Sequence, residues 1–261
     1  MDQSTIDGFG QALYSALVEG HTITPLIEQD PSITVDDAYY ISLNFLQRRL
    51  AAGQKVIGKK IGVTSKPVQD MLNVRQPDFG FLTDSMHYPN GAAIPISGNL
   101  IAPKAEAEIA FRLKADLVGP NITEADVLAA TDCIMPCFEI VDSRIRDWKI
   151  AIQDTVADNA SCGVFVLGDT EGDPNAFDLP GLKVKVFKNG QLLSEGLGSA
   201  VQGNPLTAVA WLANTLGRYD IPFNAGDIIL SGSVVPLEPV VAGDTMRCEV
   251  EGLGACECRF D

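Results

Sequence analysis

Glu106 and Glu108 stand two residues apart in a segment, Lys104-Ala-Glu-Ala-Glu-Ile-Ala-Phe111, that alternates polar and apolar side chains. A strand has a side-chain period of two, so both carboxylates fall on one face, with Ala105, Ala107, Ile109 and Phe111 on the other. Side-by-side carboxylates repel, and a divalent cation between them relieves the repulsion by lowering both pKa values. The same spacing also fits a solvent-exposed acidic edge. Glu139 is a second clue, because it interrupts the apolar run 133–141. An unpaired buried carboxylate is costly, so Glu139 requires a partner. Arg144 follows closely, and a Glu139–Arg144 ion pair is the competing expectation. The three carboxylates together would make an all-oxygen site suited to Mg²⁺ or Mn²⁺.

Lys60 sits in Gly58-Lys-Lys-Ile-Gly62. In a strand it shares a face with the two glycines, whose missing side chains let another group approach closely. It also fits an exposed lysine between turn glycines. Asp78 follows Pro77, as a positioned base or as an ordinary turn residue. Asp158-Asn159-Ala160-Ser161 precedes an apolar strand, and its short polar groups could hold a substrate carboxylate or cap a helix. The two histidines, His21 and His87, lie far apart in polar contexts and cannot build a zinc site. No Gly-x-Ser-x-Gly elbow, phosphate loop or dinucleotide-binding spacing is present. If the chain is an enzyme, its chemistry falls to carboxylates and lysine, with room for a hard metal.

The elements that must position these groups are legible in the periodicity. Residues 4–19 and 34–53 have apolar positions at helical spacing, the second with Thr34 as N-cap and Arg48 and Arg49 near its negative end. Strands are expected at 56–63, 79–82, 105–113 and 134–141. A short helix is expected over 65–73, and over 123–131 a helix with Asp126 in a capping-box position. Further strands fall at 164–167, 184–187, 228–230, 246–250 and 256–260. Asn189-Gly190 marks a hairpin turn, and Asn204-Pro205 opens a helix. Regular β-α-β alternation is missing, which disfavours a doubly wound sheet. The expected organisation is α+β, with a helical and mixed segment over residues 1–75 packed on a β-rich catalytic body over 76–261.

Composition excludes other classes. The chain has 261 residues, enough for a sizeable core, and a formal net charge of −15. That acidity argues against nucleic acid and against an anionic membrane surface, since no basic surplus replaces counterions. No apolar run is long enough to span a bilayer, and the acidic N-terminus does not fit a secretory signal. The six cysteines lack zinc spacing and are expected to be reduced packing residues of a cytoplasmic protein.

The segments Ile57-Gly-Lys-Lys-Ile-Gly-Val-Thr-Ser65, Gln76-Pro-Asp-Phe-Gly-Phe-Leu82, Ala105-Glu-Ala-Glu-Ile109, Phe138-Glu-Ile-Val-Asp-Ser-Arg144, Val156-Ala-Asp-Asn-Ala-Ser161 and Ile229-Leu-Ser-Gly-Ser233 follow one another along essentially the whole chain. As a set they resemble the 2-hydroxypenta-2,4-dienoate hydratase family of bacterial meta-cleavage degradation of aromatics. The resemblance implies a fumarylacetoacetate-hydrolase-like mixed β-roll. It implies an Mg²⁺ or Mn²⁺ site at Glu106, Glu108 and Glu139, catalytic Lys60 and Asp78, and Asn159 and Ser161 in the polar loop of the substrate pocket. It further implies addition of water to a 2-hydroxydienoate, a homo-oligomer, and a possible complex with 4-oxalocrotonate decarboxylase. That decarboxylase belongs to the same group and shares the glutamates and the lysine, so decarboxylation, or a partner-subunit role, is the alternative. Asp78 and the segment Ser231-Gly-Ser-Val-Val-Pro-Leu-Glu-Pro239 favour the hydratase.

Overall fold

The computed structural model describes residues 1–71 and 73–261. In chain order the elements are α1 (Gln3–Glu19), α2 (Leu26–Gln29), α3 (Val35–Ala51), β1 (Val56–Gly62), α4 (Lys66–Met71), β2 (Asp78–Thr83), β3 (His87–Tyr88), β4 (Ala93–Ile94) and β5 (Lys104–Leu113). Then follow α5 (Glu124–Ala130), β6 (Thr131–Val141), α6 (Ile152–Ala157), β7 (Cys162–Leu167), β8 (Lys183–Lys188), β9 (Gln191–Leu197), α7 (Pro205–Leu216), β10 (Ile228–Leu230), β11 (Glu238–Pro239), β12 (Thr245–Val250) and β13 (Gly254–Phe260).

The larger sheet runs β2-β1-β10-β5-β6-β7-β3, with β11 added to β5, and the smaller runs β4-β13-β12-β8-β9. Cysteines fill the space between them: Cys248 and Cys256 direct their thiols at the carbonyls of Cys137 and Val166. All six cysteines are buried and free, as their apolar surroundings predict. β5 and β6 are the long central pair and are buried along most of their length. Pro136 is tolerated within β6 because it lies level with the end of β7, where Gly168 N–H donates to its carbonyl at 2.8 Å.

The helices buttress one edge of this sheet. Thr34 and Asp37 form the capping box that starts α3. The α3 residue Tyr39 stacks on Phe79 of β2, with centroids 4.4 Å apart and planes 11° apart. α6, which the periodicity did not reveal, ties α2 to the body: buried Asp154 accepts the Leu26 and Ala151 N–H groups at 2.6 and 2.9 Å. The division at residue 75 falls between β1 and β2, which are antiparallel neighbours in one sheet. Other expected strands and helices appear within a few residues of their predicted limits. No helix among the described residues is long and apolar enough to cross a membrane.

Candidate active site

Strand pairing brings the carboxylates together. Glu106 lies directly opposite Glu139 in the antiparallel β5–β6 ladder, and Glu108 projects from the same face two residues along. The three offer oxygens that all lie within 4.8 Å of one another. Glu108 and Glu139 are fully buried. Glu108 Oε2 accepts the Gly232 N–H at 2.7 Å, but Oε1 has no hydrogen-bond partner among the described residues, nor has either Glu139 oxygen. Buried polar atoms left this way are rare and point to a missing ligand. Three converging carboxylates with free lone pairs fit a hard divalent cation.

The expected Glu139–Arg144 pair does not form. Glu139 instead lies 3.1 Å from the buried Lys60 ammonium, though without hydrogen-bond alignment. Arg144 turns to Asp158, with Nε–Oδ1 at 2.5 Å, and also donates to the carbonyls of Asp158, Asp142 and Cys162. Register explains the choice. Glu139 points from β6 to the face where Lys60 ends, whereas Arg144 lies beyond the strand, beside the turn after α6.

Lys60 reaches the site from β1, and Asp78 from the first residue of β2, opposite Gly62. Both are buried. A Cβ on Gly62 would lie 2.3 Å from Asp78 Oδ1 and 3.1 Å from Lys60 Nζ, so this glycine supplies the close approach its position suggested. Gly58 serves the backbone instead: its Cβ would meet the Ile228 carbonyl oxygen at 1.9 Å. Burial alone would push the Lys60 ammonium down, but the charges of Glu139 and Asp78 outweigh it and hold Lys60 above the ordinary lysine value. Burial raises the Asp78 carboxyl, and Lys60 only partly opposes it.

Asn159 and Ser161 lie on a turn of three consecutive left-handed residues, with φ of 55°, 50° and 52° at Asn159, Ala160 and Ser161. Such conformations cost roughly 1–2 kcal/mol per non-glycine residue and persist only where the surroundings enforce them. Here the Arg144–Asp158 knot holds one end. Asn159 holds the other, accepting the Phe81 N–H at 2.7 Å and donating to the Phe81 carbonyl at 3.0 Å. The Asn159 amide is thus bound to β2, while Ser161 faces the cavity. The Ser161 hydroxyl is 3.3 Å from that of Thr155, which in turn donates to Asp78 Oδ2 at 3.4 Å.

These groups line a cavity of about 230 Å³. Lys60, Asp78, Glu106, Thr155 and Ser161 form its polar end, and Val63, Trp148, Ile150 and Leu237 are among its apolar walls. Val63 and Trp148 are also left-handed, at φ 57° and 54°, so backbone strain concentrates around this space. Larger grooves of about 480 and 470 Å³ run along the smaller sheet, but surface ion pairs such as Arg247–Glu257 line them. A second acidic group, Asp132 with Cys133 and Glu171, lies at the surface, where Arg112 pairs with both carboxylates.

Residues 40–261 match the family described as fumarylacetoacetate (FAA) hydrolase C-terminal. The chain belongs to the fumarylacetoacetate hydrolase family. It is 61% identical over 260 residues to a 2-hydroxyhexa-2,4-dienoate hydratase of Comamonas testosteroni, covering 99% of this chain and 98% of that protein. It is 62% identical over 221 residues to a 2-hydroxypent-2,4-dienoate hydratase of Pseudomonas putida, covering 85% and 100%. The structure of 4-oxalocrotonate decarboxylase from Pseudomonas putida G7, complexed with magnesium and adipate, superposes with a TM-score of 0.97 at 35% identity, covering 100% of this chain and 99% of that one. The α+β fold expected of the fumarylacetoacetate hydrolase family is the fold observed.

In this family member, periodicity did not reveal Thr155, Gly232, Lys104 or Trp148 as site residues. Thr155 and Trp148 lie outside any strand pattern, and Gly232 acts through its N–H. Lys104 alone left a signal: it shares the β5 face with Glu106 and Glu108.

The carboxylates also predict a pH dependence for the metal-free protein. Burial, then the charge of Glu139, pushes Glu106 up to about 8, and the same causes hold Glu108 well above the ordinary value of 4.5. The unfolded chain releases these protons near 4.5. Between about pH 4.5 and 8 the folded state therefore binds more protons than the unfolded state, and its stability falls as pH rises. A dication must displace the same protons, so its affinity rises over that window. With chelator present, Tm is expected to drop from pH 5.5 to pH 8, and excess Mg²⁺ should remove most of that drop. A chelated Tm that climbs across this range would contradict the burial of these groups.

Proposed function

We propose that this chain is a divalent-metal-dependent hydratase that converts 2-hydroxypenta-2,4-dienoate into 4-hydroxy-2-oxopentanoate. One observation carries the proposal: Glu106, Glu108 and Glu139 converge, with unpartnered oxygens on Glu108 and Glu139 among the described residues, and Glu106 shares one cavity with the buried Lys60 and Asp78. Identity above 60% to hydratases over most of the chain supports hydration over decarboxylation. Glu106, Glu108 and Glu139 would hold Mg²⁺ or Mn²⁺, which when bound supplies Lewis-acid polarisation of the substrate's C2 oxygen.

The side chains then manage water and protons. Ketonisation transfers the enol proton from the C2 oxygen to C5 and leaves C4 electrophilic by conjugation. Asp78 takes a proton from water as the water oxygen bonds to C4, and a proton is delivered to C3. A base working near neutrality needs a pKa raised from the usual carboxylate range, and burial provides that direction at Asp78. Lys60 keeps Asp78 ionised against that same burial. Ser161 and Thr155 offer hydroxyls to substrate or water on the Asp78 side. Asn159 supports Ser161 by fixing the turn to Phe81.

Exposed Leu192, Leu193 and Leu197 on the edge strand β9 support association with further subunits, either as a homo-oligomer or in a complex with a decarboxylase. Six free thiols support a cytoplasmic setting. The deciding experiment incubates the purified chain with 2-hydroxypenta-2,4-dienoate and Mg²⁺ or Mn²⁺, following loss of dienol absorbance and identifying the product by NMR. Hydration that stops with excess EDTA is expected. Turnover of 4-oxalocrotonate with release of CO₂, and none of the dienoate, would assign the decarboxylase reaction instead.

A further inference from the structure

The cavity contains a second cation. Lys104 lies on β5 two residues before Glu106, on the same face, and lines the cavity with it. Its ammonium sits 4.0 Å from the centroid of the Trp148 ring. Among the described residues no carboxylate comes within ion-pairing distance of it, although the cavity is rich in carboxylates. Lys60, the other lysine of the cavity, is already paired with Glu139.

The platform under Lys104 is built rather than incidental. The Trp148 indole N–H donates to the Ala102 carbonyl at 3.0 Å. Asp142 accepts the N–H groups of Ile101 and Ala102 at 2.9 and 2.7 Å, which fixes that carbonyl. Lys104 itself is anchored on both sides, opposite Val141 of β6 and Pro239 of β11. A half-buried ammonium resting on an aromatic face has lost part of its hydration and retains its charge, so it favours an incoming anion. In a protein of net charge −15, it also gives an anionic ligand a local point of attraction.

We propose that Lys104 binds the carboxylate of the substrate and thereby sets its direction in the cavity, with the carboxylate at the Glu106–Lys104 end and the far end of the chain toward Asp78 and Lys60. The proposal rests on the hydratase reading above, whose substrate is such an anion. It assigns the two lysines different tasks: Lys104 receives the ligand, and Lys60 governs the base.

The test is calorimetric binding of 2-oxopentanoate, a saturated keto acid that cannot be hydrated, to the Mg²⁺-loaded protein. The wild type is compared with Lys104→Met, which keeps an unbranched apolar stem, and Lys104→Arg, which keeps the charge. Loss of a charge-assisted contact should weaken binding about tenfold or more in Lys104→Met, and Lys104→Arg should recover most of it. Mg²⁺ titrated alone should bind Lys104→Met as tightly as wild type or tighter, because a positive charge beside Glu106 is gone. Equal keto-acid affinity in wild type and Lys104→Met overturns the proposal, as does a parallel loss of Mg²⁺ affinity. A wild type that neither binds the keto acid nor hydrates the dienoate overturns the hydratase reading and this one together.

Discussion

Asp78→Asn should lower kcat by about two to four orders of magnitude, the range that a positioned general base contributes. Asparagine keeps the shape but cannot take the proton from water. Mg²⁺ affinity, measured by calorimetry, should stay within a few fold of wild type, because Asp78 is separate from the three converging glutamates. Stability should be unchanged or slightly higher. The substitution removes a carboxylate that burial already disfavours, and Lys60 retains Glu139 as a partner. Turnover close to wild type would remove Asp78 as the base. A collapse of Mg²⁺ affinity would place it among the metal-holding groups instead.

Gly62→Ala is the second large effect, and it separates positioning from folding. The added Cβ would stand 2.3 Å from Asp78 Oδ1, so the carboxylate must retreat by roughly 1 Å to reach van der Waals contact, a displacement that can cost about a hundredfold in rate. The contact is with the ends of Asp78 and Lys60, and Gly62 is not in the left-handed region, so alanine fits the backbone. A folded protein with kcat reduced about a hundredfold is expected. Gly58→Ala provides the contrast. Its Cβ would strike the backbone carbonyl of Ile228 at 1.9 Å, where β1 pairs in parallel with β10. That variant should lose stability, read as a lower Tm, whatever its activity. If both alanine variants unfold alike, Gly62 has no distinct role in the site.

The contrast between these glycines shows how far local sequence reaches. Two glycines flanking a lysine in a strand announce that something approaches closely. They do not say whether it is a carboxylate or a neighbouring strand, because that depends on which strands pair. Asn159 and Ser161 behave similarly. Their polar character was evident, but the division of labour between them comes from three left-handed residues in a row, which local preference opposes and only the Arg144–Asp158 knot and the Phe81 backbone enforce.

Sequence alone narrowed the kind of chemistry open to an enzyme of this chain, since two distant histidines and no nucleophile motif leave carboxylates and lysine as the candidates. It also determined that Glu106 and Glu108 share a face, because a strand's period of two is a local property of the backbone. Tertiary structure decided the rest. The β5–β6 register set Glu139 opposite Glu106 and gave it Lys60 in place of Arg144, and the fold laid Lys104 on Trp148. Periodicity fixes where a side chain points along its own strand, whereas its partner is fixed by pairings between residues far apart in the chain, and no local pattern encodes those.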